Sequence, residues 1–285
     1  QTNITLQPYN IYKYRMTDIS YTQYLNSAVN VAKSVGPLIL ENYNNRDKKV
    51  EYKGAVDLVT ETDKNVEEII IKTLTTEYPH TKILGEESTK DGVYNWGNEP
   101  TWIIDPIDGT TNFVHRFPLF CVSIGLSINK EIVVGCIYSP VLNEIFTATK
   151  GGGSYLNGNK LQVTSVETLQ QAVVATNVGY DRSEYGVEFM MSNLKAIMMQ
   201  NVQSIRFSGT AAWEMASVAC GRLDCFYEWG IHPWDIAAAS LMITEAGGVV
   251  VDPSGGPVQM EGRRVLCGNA TICQVVSKLL GVRKP

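Results

Sequence analysis

The sequence has no Cys-x-x-Cys pair, no long basic cluster, no apolar run of membrane-spanning length, and only three histidines. Each shortage removes a class of function. The six cysteines, Cys121, Cys136, Cys220, Cys225, Cys267 and Cys273, lack zinc-ligand spacing and sit in mostly apolar contexts. They read as reduced core thiols of a cytoplasmic protein. A net charge of −5, from 24 Lys+Arg against 29 Asp+Glu, leaves no track for a phosphate backbone, so no nucleic-acid partner is expected. Charges interrupt every apolar stretch well short of the roughly 20 residues a bilayer requires, so no membrane partner is expected either. His80, His115 and His232 form no evident catalytic set.

What is present is ordinary in bulk. With 285 residues, 44% hydrophobic and 19% charged, the chain can build a substantial core in one large domain. Met16-Thr17-Asp18 has the look of a natural start, so residues 1–15 are expected to be a poorly ordered leader. Residues 16–285 are then one domain, with a soft division near 150–170.

Tyr21, Tyr24, Leu25, Ala28, Ala32, Val35 and Ile39 approximate a helical stripe after a Thr17/Asp18 cap, with Gly36-Pro37 placed to kink it. Thr62-Asp63 is expected to cap a second helix that stops before Pro79. Strands are expected at 101–105, 120–128, 131–138 and 144–149, the middle two joined by a tight Asn129-Lys130 turn. The second half alternates strands near 172–176, 203–207, 223–228, 248–251 and 264–267 with helices at 185–199, 210–220, 234–246 and from 270. Adjacent strands with interleaved helices predict an α/β or α+β sandwich without repeats.

The most informative segment is Trp102-Ile103-Ile104-Asp105-Pro106-Ile107-Asp108-Gly109-Thr110-Thr111-Asn112. An apolar strand delivers two aspartates around a proline, and a glycine and two threonines then open a helix. Carboxylates are hard oxygen ligands suited to Mg²⁺ or Ca²⁺, and free N–H groups at a helix start suit phosphate. Acidic residues also gather at Asp57–Asp63, at Gly85-Glu86-Glu87-Ser88 and at Trp234-Asp235 after Glu228. Singly, these read as N-caps, a solvated turn, a β-turn at Asp108-Gly109 or, for Glu228, a surface strand end. Together they favour one shared metal site.

The ordered set resembles the inositol monophosphatase family. The segment 102–113 is similar to its first signature, and Trp234-Asp235-Ile236-Ala237-Ala238-Ala239, continuing to Glu245-Ala246-Gly247-Gly248, to its second. Gly85-Glu86-Glu87-Ser88, Asp57–Asp63 and Ser208-Gly209-Thr210-Ala211-Ala212 resemble further family segments, over about residues 20–280. The resemblance implies a layered αβαβα sandwich, a homodimer, lithium inhibition and a site of two or three Mg²⁺ ions. The implied metal ligands are Glu86, Asp105, Asp108, Asp235 and the Ile107 carbonyl.

By the same resemblance, one ion held by Glu86, Asp105 and Ile107 would activate a water, and a second held by Asp105, Asp108 and Asp235 would stabilise the leaving oxygen. Gly109 and Thr110 N–H groups would hold phosphate, Asp63 would pair with Thr110 to orient the water, and Glu86 would take part in catalysis. Gly209, Thr210, Ala211 and Glu228 would line the polyol pocket, with Asp108 and Asp235 touching substrate as well as metal. Lys53 resembles a family lysine near this network, and Trp213 and Met215 read as packing or interface residues.

Magnitudes agree with metals. Enzymes accelerate phosphate-monoester hydrolysis by up to ~10²¹, about 28 kcal/mol of barrier. One general base supplies only ~10²–10⁴. The implied reaction is Mg²⁺-dependent hydrolysis of a small phosphate monoester, a myo-inositol monophosphate, without a covalent phosphoenzyme. Alternatives are a sugar 1-phosphate, histidinol phosphate or a 3′-phosphorylated nucleotide as substrate, or a non-catalytic metal-binding regulator of the same fold.

Overall fold

A computed structural model describes residues 20–89, 94 and 96–281. The leader and the Thr17/Asp18 cap fall outside these residues. Helix α1 (Tyr21–Asn44) is capped by Ser20, whose side chain and Gln23 form a capping box. It runs as one helix to Asn44 with Pro37 inside it, at the point where a kink was expected. Next come β1 (Val50–Tyr52), β2 (Leu58–Thr60), α2 (Glu61–Glu77) and β3 (Lys82–Gly85). The cap of α2 is Thr60, two residues earlier than expected, because Asp63 occupies the third helical position and reaches back to the Thr60 N–H.

A meander follows: β4 (Thr101–Asp108), the short α3 (Thr110–His115), β5 (Cys121–Ile128), β6 (Glu131–Ser139), β7 (Glu144–Thr149), β8 (Gly153–Leu156) and β9 (Asn159–Lys160). With β3 beside β4 these strands form a seven-stranded sheet in sequence order, parallel only between β3 and β4. Asn129 and Lys130 both take positive φ, 54° and 63°, as a two-residue hairpin matching strand twist requires.

The remaining elements are β10 (Val173–Thr176), α4 (Glu184–Met198), β11 (Ser204–Arg206), α5 (Ala211–Ala219), β12 (Cys225–Trp229), α6 (Pro233–Glu245), β13 (Val249–Val251), β14 (Arg264–Gly268) and α7 (Ala270–Leu279). Here the sheet has five strands in the order β11-β10-β12-β14-β13.

Three apolar clusters bind five layers. One seals α1 and α2 to the outer face of the larger sheet through Tyr24, Val31, Ile39, Ile70, Trp102 and Ile124. A second fills the space between the sheets around α5 and α6, and a third seats α4 and α7 on the far face of the smaller sheet. The order is therefore α, β, α, β, α, the expected sandwich.

The fit of α6 fixes the depth of the site. Its Ala237-Ala238-Ala239 run lies on β5 and β6 at two glycines, and a Cβ on Gly135 would stand 2.6 Å from the Ala238 carbonyl oxygen. Any side chain at Gly135 would push α6 outward and carry Asp235 with it.

Candidate active site

The site begins with a defect in a strand. On β4 Asp105 pairs with Ser123, yet Asp108 pairs with Cys121, so three steps on β4 match two on β5. That extra residue is a bulge, and Pro106, which has no N–H to donate, sits within it. In a regular strand, residues three apart face opposite sides. The bulge absorbs one residue of the alternation and turns both aspartates to the same side. The Ile107 N–H, freed from the ladder, donates to Asp105 Oδ1 at 3.0 Å.

The third carboxylate arrives on α6. Asp235 is the third residue of that helix, and its Oδ2 accepts the His232 backbone N–H at 2.7 Å. Asp63 does the same for Thr60 on α2. In both cases an acid is oriented by the helix start it helps to close. Asp105, Asp108 and Asp235 each present an oxygen within 4.8 Å of the others. Glu86, just beyond β3, stands close enough to Asp105 for each to perturb the other.

Asp108 is held from the opposite sheet. Its Oδ2 accepts Thr210 Oγ1 at 2.5 Å and the Ala212 N–H at 2.6 Å. The start of α5 is thus capped by an acid from β4, while the Thr210 hydroxyl makes no cap bond of its own.

Asp63 lies beneath the site, fully buried and away from the cavity wall. Its Oδ2 accepts from both Thr60 groups, and its Oδ1 accepts Thr110 Oγ1 at 3.1 Å. The Thr110 hydroxyl is also 3.2 Å from the Ile107 carbonyl, so one proton is shared between two acceptors. Thr110 itself faces the cavity.

The cavity is about 1100 Å³, and Gly109, Thr110, Gly209, Thr210, Ala211 and Glu228 line it together with the acids. Glu228 is buried at the end of β12, so the reading of it as a surface strand end does not hold. Lys53 Nζ stands 2.9 Å from Glu86 and 2.6 Å from Glu87, and so belongs to the site. Met215 is fully buried, and Trp213 packs on the same inter-sheet core. Two participants were missed in the sequence, Asn177 and Glu214. A lone acid in the apolar run Ala211-Ala212-Trp213-Glu214-Met215-Ala216 was the available signal.

The electrostatics are those of an anionic cluster short of counter-charge. Burial, and then Glu86, Asp108 and Asp235, raise Asp105 well above the usual carboxylate range. Burial, and then Asp108 and Glu86, do the same to Asp235. Asp108 is pushed by burial to about 6 against the opposing Thr210 and Ala212 bonds. Glu87 is pushed by burial and Glu86 to about 7. Lys53, which burial alone would lower, is held above its ordinary value by Glu86 and Glu87. Among the described residues, it makes the ion pairs found at the cluster. Hard oxygens that are desolvated and mutually repelling, with one lysine among them, form a donor set suited to divalent cations.

The profile of the inositol monophosphatase family matches residues 20–280. The chain belongs to that family.

An inositol monophosphatase of Dictyostelium discoideum is 73% identical over 270 residues, 95% of this chain and 99% of its own length. The structure of the extragenic suppressor protein suhB from Bartonella henselae has a TM-score of 0.82 at 34% identity, covering 90% of this chain and 97% of its own. The IMPase structure from Thermotoga maritima gives 0.81 at 33%, covering 90% and 96%. Family membership and the layered fold thus agree with the expectations drawn from the motifs.

Proposed function

We propose that this chain, a phosphatase of the inositol monophosphatase family, works through Mg²⁺ held by Glu86, Asp105, Asp108, Asp235 and the Ile107 carbonyl. Its reaction is the hydrolysis of myo-inositol monophosphates to inositol and phosphate. The observation that carries the reading is the convergence of Asp105, Asp108 and Asp235 oxygens within 4.8 Å in a buried cluster. Bound Mg²⁺ would supply an acidified water and charge neutralisation at the phosphoryl group. The family resemblance implies two or three such ions.

The protein's own groups do the positioning. Asp63 fixes the Thr110 hydroxyl at the cavity wall, where it can orient the attacking water. Backbone N–H groups of Gly109 and Thr110 are available for phosphate oxygens. Glu228, with Gly209, Thr210 and Ala211, would take the ring hydroxyls. A carboxylate acceptor in a concave wall discriminates strongly for hydroxylated leaving groups, because the buried acid is left unpaired without one.

The homodimer is proposed on the family resemblance. Six free thiols, most of them buried, support a cytoplasmic setting. No described helix is long and apolar enough to cross a membrane.

The test is phosphate release from myo-inositol 1-phosphate, a sugar 1-phosphate, histidinol phosphate and a 3′-phosphonucleotide, with Mg²⁺ and in a chelator. Mg²⁺-dependent release, greatest on the inositol phosphate, is expected. Undiminished activity in chelator would remove the metal from the reaction, and preference for a nucleotide would change the substrate.

A further inference from the structure

Asn177, the residue after β10, ties two walls of the cavity together. Its Nδ2 donates to Glu228 Oε2 at 3.0 Å and to Glu214 Oε2 at 2.7 Å. Its Oδ1 accepts the Gly209 N–H at 2.9 Å. The amide can sit only this way round. Turned over, its NH₂ would meet a backbone N–H and its oxygen would meet two carboxylates.

Glu214 anchors this arrangement from behind. It is fully buried on α5, outside the cavity lining, and among the described residues it makes no ion pair. Its Oε1 accepts the Ser208 N–H at 2.8 Å, so it holds Asn177 and the turn before α5 at once. Asn112 Nδ2 takes the Ser208 carbonyl from the other side at 2.6 Å. The Ser208–Gly209 turn is therefore gripped at both Ser208 backbone groups and at the Gly209 N–H, and the next residue, Thr210, holds Asp108.

A buried acid with no cation is costly and gives stability no advantage over an apolar residue of like size. Its position instead makes Glu228 directional. With Glu228 Oε2 occupied by Asn177, the other oxygen is left for a hydroxyl in the cavity that Glu228 lines. A carboxylate so restrained accepts a hydroxyl in one place, whereas a free one would swing.

We propose that Asn177, held by Glu214, is a positioning residue that sets the selectivity of this enzyme for ring polyol phosphates. This rests on the proposed reaction for its substrate, but on the geometry alone for its effect on polyol binding. One amide orients Glu228 and fixes the Gly209–Thr210 turn opposite it, so the spacing between two hydroxyl-binding walls depends on it.

The experiment compares wild type with Asn177→Ala and Asn177→Ser on myo-inositol 1-phosphate and on the smaller, acyclic glycerol 2-phosphate. Binding of myo-inositol itself is followed by calorimetry in Mg²⁺ and orthophosphate. In N177A, KM for the ring substrate should rise about 10-fold, the scale of one lost hydrogen bond. At saturating Mg²⁺ the kcat and the acyclic KM should stay within about 3-fold, since Thr210 Oγ1 and the Ala212 N–H still hold Asp108. N177S, which keeps a hydroxyl donor, should fall between, and it serves as the readout if N177A does not fold. Myo-inositol affinity should drop in the same order. Equal KM ratios and equal myo-inositol affinity in a folded variant overturn the inference. Wild type that binds myo-inositol through Asn177 yet releases no phosphate overturns the reaction and leaves the inference standing. Wild type that shows neither overturns both.

Discussion

Asp108 Oδ2 caps a helix whose N-cap residue, Thr210, lies 102 residues later in the chain, accepting its Oγ1 at 2.5 Å. The bond crosses from the larger sheet to the space between the sheets. It also consumes one Asp108 oxygen, so the direction of the other is set by α5.

Replacing Thr210 by Ala should therefore loosen Asp108 without removing it. Losing a partner that orients a ligand costs about 10–100-fold in metal affinity or activity. The Mg²⁺ concentration for half-maximal phosphate release should rise, with the saturated rate less affected. An unchanged Mg²⁺ requirement would show that Ala212 alone orients the acid.

Asp108→Asn should abolish nearly all turnover while the protein stays folded. The amide oxygen can still accept from Thr210 and Ala212, and one repelling charge is gone. In chelator at pH 8 the variant should melt higher than wild type, whose Asp108 is ionised there above a value of about 6. A lower melting temperature would mean that charge repulsion is not what destabilises the empty cluster.

Thr110→Ala should lower kcat by roughly 10²-fold or more, the scale of a proton-handling group, while Thr110→Ser recovers most of it. The hydroxyl is the only part of Thr110 that meets Asp63 and the Ile107 carbonyl. Equal loss in both variants would assign the effect to the methyl group and its packing.

The pH dependence of stability follows from raised carboxyls. Glu214 and Glu228 are each pushed by burial to about 8, and Glu87 to about 7, from an ordinary 4.5. A raised folded-state value means the fold favours the protonated form. That stability is complete below the ordinary value and is lost as pH rises through about 7–8. Chelated protein should accordingly melt lower at pH 8.5 than at pH 5.5, and Mg²⁺ should raise the melting temperature more at the higher pH. Calorimetric melts at the two pH values check this, and a rise with pH in chelator would contradict it.

Long, strongly periodic elements were legible in the sequence. The strands 121–128, 131–139 and 144–149 and the helix from 233 sit within a residue or two of expectation. The three-residue strands β1 and β2 were not, since a strand that short has too few residues to show alternation. Cap positions slipped because Thr60, Thr62 and Asp63 are all good capping types, and only geometry decides among them. Asp105, Asp108 and Asp235 could be named from motif, but the bulge that turns the first two to one side has no separate sequence signal beyond Pro106. Asn177 escaped notice because its role depends on Glu214 and Glu228 meeting it from other elements.

The acids proposed to hold the cation come from separate stretches of the chain: Asp105 and Asp108 precede the passage from Lys160 to Val173, and Asp235 follows it. A nascent chain that has completed the larger sheet still lacks Asp235 and the Thr210 grip on Asp108. Mg²⁺ should therefore ignore half-finished molecules and reward finished ones, acting as a quality check on assembly. Two fragments cut within that passage should each fail to bind the ion, and should regain it only on reassociation.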